Sequence, residues 1–263
     1  MSAARTDREQ LSGPRIWQEV EFGSYDADVP LWKELAHAAE GPILELGAGA
    51  GRVTLEISGE YSTEGGWRGP EVIAVENDPD LVPELKLEAQ RLARAVRVVQ
   101  ADLSDPTRLR LPSKPDLAIG PLHVIQVFSR ASRPALLGRL AELMAPGGII
   151  ALTVVDETTL LSAGAAATQV LPDMREIDGW VYSSDPLWVQ LGDQVLTVRR
   201  LRERVSPGGD IERTVKDEIL HRLSPERLEQ EGEEAGLRRA GRRQVSSGPN
   251  EADSIVILLE VPS

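Results

Sequence analysis

Residues 43–51 form an apolar run, Ile43-Leu44-Glu45-Leu46, that enters three glycines set two apart, Gly47, Gly49 and Gly51. No other segment limits the fold as strongly. A strand that enters closely spaced glycines lets backbone approach a ligand without Cβ interference. A helix beginning just after them presents free amides to that ligand, and Val53, Leu55 and Ile57 start such a helix, which is expected to end before the loop Gly65-Gly66-Trp67. This arrangement suits an α/β domain whose ligand sits at the carboxyl ends of its strands. The general expectation is a nucleotide-like ligand.

The neighbouring sequence repeats the theme. Short apolar strands are expected at Glu71–Val75, Val96–Val99, Asp116–Ile119 and Ile149–Val155. Between them fall helices at Asp80–Ala93, with Leu81, Leu85 and Leu92 on one face, and at Arg133–Met144, closed by Pro146-Gly147-Gly148. A further helix, Leu31–Ala39, precedes the first strand. Apolar strands alternating with helices indicate a parallel sheet covered on both faces. The expected fold class is α/β: a doubly wound, mostly parallel seven-stranded sheet of Rossmann-like type.

After Asp156 the alternation stops. Trp180–Ser183, Leu187–Leu191, Val195–Val205 and Ile211–Leu220 read as antiparallel hairpins, the last two joined at Pro207-Gly208-Gly209-Asp210. Arg199, Arg200, Arg202 and Arg204 on one strand would face Glu212, Asp217 and Glu218 on the next, the pattern of a solvated hairpin face. The α/β pattern then returns, with a helix Glu226–Ala235 capped by Ser224 and closed by Gly236. Strands Arg239–Val245 and Ile255–Val261 finish the chain, separated by a loop containing Pro249-Asn250. The expected division is a disordered tail (1–15), a ligand-binding domain (16–155 and 222–263) and an antiparallel β insertion (156–221).

Composition narrows the chemistry. The chain has no cysteine, which excludes disulfides, thiolate metal sites and cysteine nucleophiles, and its three histidines show no metal-site spacing, so no metal is expected. A formal charge of −13 disfavours nucleic acid and suits neutral or cationic small molecules. No run approaches the roughly 20 apolar residues of a membrane-spanning helix. The polar start lacks a secretory core, so no membrane partner and a cytoplasmic location are expected.

The glycine loop departs from the dinucleotide fingerprint, because the third glycine position of Gly-x-Gly-x-x-Gly is Arg52. Glu45, just before the loop, is a poor neighbour for a pyrophosphate and a good one for an ammonium group. Ile43 through Thr54 resembles the first motif of class I S-adenosylmethionine-dependent methyltransferases. Val72-Ile73-Ala74-Val75-Glu76-Asn77-Asp78-Pro79 resembles the second motif, Val98 through Leu103 the third, Asp116 through Leu122 the fourth, and Leu143 through Gly148 the fifth.

The resemblance implies S-adenosylmethionine as cofactor and S-adenosylhomocysteine as product. It implies a cofactor site built from Glu45, Gly47, Ala48, Gly49, Gly51, Glu76, Asn77, Asp102, Leu103 and Tyr25. Glu76 would accept from the ribose hydroxyls and Asp102 would meet the adenine amino group. Each has a plainer alternative: Glu45 can hold the loop, Glu76 can be a solvated strand end and Asp102 can be a helix N-cap. Asp78 is read as a cap for the following helix. The (Asp/Asn)-Pro-Pro-aromatic motif of nucleic-acid amino methylases is replaced by Ile119-Gly120-Pro121-Leu122.

By analogy with the family that the chain resembles, the expected acceptor is a small molecule, methylated on oxygen or nitrogen. His123, where the fourth strand opens, is the candidate base, with a packing role as its alternative, and Gln126 lies one turn on. Tyr25 and Trp32 are expected either as a lid or as anchors of the N-terminal helix. The insertion would shape the acceptor site or an oligomer interface, a homodimer being the candidate assembly. Trp180, Tyr182 and Trp188 are candidates for either task, with core packing of the insertion as the alternative for each. Two other functions fit parts of the pattern. One is an NAD(P)-dependent oxidoreductase, although no Tyr-x-x-x-Lys pair is present. The other is a non-catalytic S-adenosylmethionine-binding regulatory protein.

Overall fold

A computed structural model describes residues 13–62, 66–155, 172–246 and 253–263. In chain order it contains α1 (Gly13–Phe22), α2 (Val29–Ala38), β1 (Ile43–Leu46), α3 (Thr54–Ile57), β2 (Glu60–Ser62), β3 (Gly66–Arg68), β4 (Val72–Glu76), α4 (Leu81–Arg91) and β5 (Val96–Gln100). There follow β6 (Leu117–Gly120), α5 (Arg133–Leu143), β7 (Ile149–Val155), β8 (Asp173–Ile177), β9 (Trp180–Leu191), β10 (Val195–Val205), β11 (Ile211–His221), α6 (Pro225–Glu234), β12 (Arg238–Val245) and β13 (Ser254–Glu260).

Seven strands form the main sheet in the order β12-β13-β7-β6-β1-β4-β5. β7, β6, β1, β4 and β5 run parallel, while β13 and β12 add antiparallel at one edge. This is the expected doubly wound architecture. The central strands are buried at every position of β1, β4 and β6, because both sheet faces are covered. One layer packs Leu44, Leu46, Ile73 and Ala118 against Leu136, Leu137 and Leu140 of α5 and Leu228 of α6. The other packs Ile43, Val72, Leu117 and Ile119 against Trp32 and Ala36 of α2. Strand order reverses between β1 and β6, so the crevice at their carboxyl ends falls beside the glycine loop.

The layer formed by α5 and α6 is also pinned by charge. Arg133 donates Nε to Glu231 Oε2 at 2.7 Å and Nη2 to Oε1 at 3.0 Å, and both side chains are almost fully buried. Its Nη1 donates to the Phe128 carbonyl at 2.8 Å, and Arg227 Nε adds a bond to Glu231 at 2.9 Å. Good geometry and extra partners are what let buried ions persist.

A second sheet has the order β11-β10-β9-β8. Arg199 pairs with Asp217 and Arg204 with Glu212, as the sequence pattern implied. Arg202 instead reaches Glu21 on α1, and Arg200 reaches Asp173. Trp17 meets Tyr182 edge-on at 5.7 Å, so this sheet seats on α1 through a small apolar cluster with Ile16 and Val20.

Several expectations need correction. α1 begins at Gly13, so residues 13–15 are helical; residues 1–12 of the expected tail lie outside the described residues. The helix after the glycine loop is one turn, because the chain reverses after Ser58 into the hairpin β2–β3; Gly59 donates to the Pro70 carbonyl at 2.8 Å and lies against the Arg68 backbone. Leu92 falls past the last turn of α4 and is 38% exposed, outside the apolar face formed by Leu81 and Leu85. Trp180–Ser183 and Leu187–Leu191 are one strand, irregular only opposite Arg199/Arg200. β8, a polar strand, was not expected. Residues 156–171 of the expected insertion, and the Pro249-Asn250 loop, lie outside the described residues. Among the described residues no helix is long and apolar enough to cross a membrane.

Candidate active site

β1 delivers its last residues into the loop at the crevice. Gly47 and Gly49 have φ of +66° and +57°, a region that a side chain strains. A β-carbon at Gly47 would come 2.9 Å from Val124 Cγ2, and one at Gly49 would come 2.5 Å from Gln18 Oε1. Both positions need glycine because neighbours close in on the loop from two sides. On one side α1 supplies Gln18, which accepts from the Ala50 amide at 2.6 Å, and Arg15, which donates to the Ala50 carbonyl at 2.7 Å. On the other side is the turn after β6.

Glu76 ends β4 and is 8% exposed. Its Oε2 accepts from the Gly49 amide at 2.7 Å, and its Oε1 accepts from the amides of Asn77 and Asp78, both at 2.8 Å. It is thus a loop organiser and a wall of the crevice together. Glu45 is 2% exposed and accepts a hydrogen bond from Thr54 Oγ1 of α3. Burial pushes its carboxyl up to about 7, against the opposing pull of the Thr54 hydrogen bond and Arg52.

Asp102 is exposed and accepts from the Ser104 amide at 2.8 Å, a bond that holds its carboxyl below the usual range. It therefore caps a turn, and it also lines the crevice. Asp78 accepts from the Asp80 amide at 2.8 Å, bracing the turn into α4.

The cavity has two halves that share Gly47, Val124 and Val127. The smaller, about 430 Å³, is lined by Glu76, Asn77, Asp102 and Leu103, together with Phe128 and His221. The larger, about 770 Å³, is lined by Glu45, Ala48, Gly49, Gly51 and Tyr25, together with Glu218 of β11. Every sequence-derived binding residue falls on one half or the other. Tyr25 is fixed by Arg52, whose guanidinium lies 5.2 Å over the ring and donates to the Tyr25 carbonyl at 2.8 Å. Arg52 also grips Asp28 with two bonds of 2.7 Å. Trp32 donates Nε1 to that same Asp28 and is fully buried, which makes it an anchor and not a lid.

His123 has φ +62° and directs Nε2 to Ser254 Oγ on β13 at 3.0 Å. It does not line either half of the cavity. Burial pushes its imidazole down to about 4, with Asp28 acting weakly the other way. Gln126 is a staple: its Oε1 accepts from the Val155 amide at 2.8 Å and its Nε2 donates to the His221 carbonyl at 3.2 Å. Arginine faces cover the insertion's indoles, with Arg199 over Trp188 at 4.7 Å and Arg204 over Trp180 at 5.5 Å. Sequence reasoning missed Gln18, Arg15, Val127, His221 and Glu218 as cavity residues, because nothing local marks them. No metal-ligating cluster occurs among the described residues.

The residues fit a nucleoside with a charged amino-acid tail. Glycines keep side chains out of a crevice that has the Glu76 carboxylate on the smaller half and the Glu45 carboxylate on the larger, acceptors suited to hydroxyls and to an ammonium. Residues 43–148 match the family model described as methyltransferase domain. No curated protein matches the chain. Among solved structures, the sugar N-methyltransferase KedS8 from Streptoalloteichus sp ATCC 53650 is 13% identical, with TM-score 0.70 over 100% of this chain and 98% of that one. An S-adenosylmethionine-dependent methyltransferase from Clostridium acetobutylicum ATCC 824 is 13% identical, with TM-score 0.69 over 94% and 97%. CalS10, an amino pentose methyltransferase from Micromonospora echinaspora solved with S-adenosylmethionine bound, is 17% identical, with TM-score 0.64 over 96% and 99%. At these identities the likeness is one of fold.

Proposed function

We propose that this chain, a class I S-adenosylmethionine-dependent methyltransferase, moves the methyl group to a nucleophile on a small molecule, with an amine on a sugar-like acceptor as the leading class. The observation that carries this reading is the larger half-cavity, about 770 Å³, in which α1 residues such as Gln18 and Phe22 and Glu218 of the insertion meet the glycine loop. The names of the fold neighbours, two of which act on sugars or amino sugars, supply the acceptor class. The net charge of −13 favours a cationic or neutral acceptor over a phosphorylated one.

The bound cofactor supplies an activated methyl on a sulfonium, so the protein's contribution is mainly alignment, worth up to about 7–11 kcal/mol in favourable cases. In this reading the smaller half takes the adenosine. Glu76 has about four acceptor positions, and three are filled by amides. Two ribose hydroxyls would therefore displace one amide, and the Gly49 bond, which comes from the loop, is the one free to yield. Asp102 and Leu103 flank the base. Glu45 accepts from the ammonium, and Tyr25, fixed by Arg52, closes the other side. In this reading 16–155 with 222–263 holds the cofactor and 156–221 covers the acceptor, except that His221 at the end of the insertion lines the adenosine half.

Calorimetry with S-adenosylhomocysteine and with NADH tests the cofactor site; binding of NADH in preference would overturn it. A labelled-methyl assay against cell extract, with the product identified by mass, tests the acceptor. A methylated macromolecule in place of a small product would sink the reading.

A further inference from the structure

We propose that Glu218 is the acceptor-binding residue: its carboxylate holds the acceptor's protonated amine beside the methyl donor and takes the proton that nitrogen must lose before it can react. The inference rests on the amine-methylating reading above.

Glu218 lies on β11 and lines the larger half-cavity together with Gly47, Ala48, Pro121 and Leu122. The four arginines of β10 already have carboxylate partners, while Lys216 on β11 makes no ion pair among the described residues and acts on Glu218 only through its charge. Arg202 gives both nitrogens to Glu21 at 2.7 and 2.6 Å, and Ser184 Oγ donates to the same carboxylate at 2.8 Å. Arg200 pairs with Asp173 at 3.1 Å. Asp217 and Glu212 of this hairpin are held by Arg199 and Arg204, and Glu203 by Arg213. Among the described residues, the Glu218 carboxylate makes no hydrogen bond or ion pair; its backbone pairs with Val198 of β10.

A half-buried carboxylate left without a partner is costly, and a cation placed against it removes that cost. Burial raises the Glu218 carboxyl above its ordinary range; Arg200, Arg202 and Lys216 oppose this and Glu21 adds to it. That shift brings it closer to the basicity useful for accepting a proton near neutrality.

The step balances. The acceptor's ammonium gives one proton to the Glu218 carboxylate and becomes a neutral amine. Its lone pair forms the N–C bond to the methyl as the C–S bond breaks, and that electron pair stays on sulfur. The methylated nitrogen now carries the positive charge, and Glu218 releases its proton to solvent as product leaves.

The test titrates the protein loaded with S-adenosylhomocysteine against glucosamine, galactosamine and mannosamine, and against the three parent sugars, by calorimetry. At least one amino sugar should bind about tenfold tighter than its parent, the scale of one charge-assisted hydrogen bond. Glu218→Gln should abolish that preference and leave affinity for S-adenosylhomocysteine unchanged within about twofold. Turnover of the amine product class found in extract should fall roughly hundredfold in kcat/KM, the lower end of proton-transfer catalysis. The proposal is overturned if no amino sugar is preferred by the wild type, if the preference survives in Glu218→Gln, or if kcat/KM is unchanged. It is also overturned if the variant weakens S-adenosylmethionine but not S-adenosylhomocysteine, because the carboxylate then faces the sulfonium. A methyl found on oxygen in the extract product would overturn the amine reading separately, leaving the calorimetric preference to report on Glu218 itself.

Discussion

Glu76 Oε2 accepts a hydrogen bond from the Gly49 amide at 2.7 Å, tying the end of the second parallel strand to the glycine loop 27 residues earlier. The contact makes one carboxylate responsible for loop shape and, in the proposed reading, for cofactor recognition as well. Glu76→Gln keeps the size but presents an NH2 group toward amides that need an acceptor. An unsatisfied buried amide costs about 1–3 kcal/mol, and each kcal/mol lowers Tm by about 2–4 °C in a domain near this size. A drop of several degrees is therefore expected in calorimetric melting. Affinity for S-adenosylhomocysteine should fall about tenfold or more, since bonds to a charged group are worth about 1.5–3 kcal/mol. Unchanged affinity would remove Glu76 from the ribose site.

Glu45 couples the site to pH. Its carboxyl is raised by burial from 4.5 to about 7, so the folded protein keeps it protonated where the unfolded chain ionises it. The resulting stability is fully present below pH 4.5 and is lost as pH rises toward 7. Glu45→Gln should remove this slope, and Tm measured from pH 4 to 8 should converge for the two proteins only at the acid end. The proposed ammonium contact requires the ionised form. Affinity for S-adenosylmethionine should thus rise with pH through about 7 in the wild type and stay flat in the variant. A wild-type affinity independent of pH would place the ammonium elsewhere.

Much of this was legible in the sequence, for identifiable reasons. The loop, Glu76 and Asp102 sit at strand ends, and the positions of strand ends follow from short apolar runs punctuated by glycine and acid. The antiparallel hairpins were legible from opposite charge on facing strands, although the register that sets Arg199 on Asp217 came only from the fold. What escaped was set by contacts far apart in the chain. Arg202 crosses 181 residues to Glu21, and Arg15 crosses 35 to the Ala50 carbonyl. β8 carries Asp173, Arg175 and Glu176, and no apolar alternation announces it as a strand; it forms because β9 offers it an edge. Glu218 read as one more charge in a solvated face, and only the fold shows that the arginines of β10 are already paired with other carboxylates.

The buried ion pair between α5 and α6 makes a prediction about stability alone. Glu231→Ala leaves Arg133 in the core with only the Phe128 carbonyl, and removing one partner of such a pair typically costs about 3–5 kcal/mol. Arg133→Met should cost less, because Arg227 still satisfies one oxygen of Glu231. Combining Arg133→Met with Glu231→Leu should recover part of the loss, since the space is then apolar on both sides. Denaturant melts of the three variants decide the order. If Arg133→Met is the worst of the three, the pair is not the source of the helix contact.

His123 tests how the proton leaves. Its left-handed backbone conformation is one that asparagine tolerates, so His123→Asn removes the imidazole with little added strain. Burial lowers the ring from 6.5 to about 4, so the folded state favours the neutral form. The associated stability is present above pH 6.5 and is lost as pH falls through about 4. Compared with His123→Asn, the wild type should therefore lose Tm progressively over that acid window. Because the ring points to Ser254 and lines neither half of the cavity, kcat at neutral pH should stay within about threefold, well short of the 10² or more that losing a general base costs. A collapse of kcat in a variant that melts normally would reverse this assignment. His123 would then be the base, and Glu218 would keep only the binding of the amine.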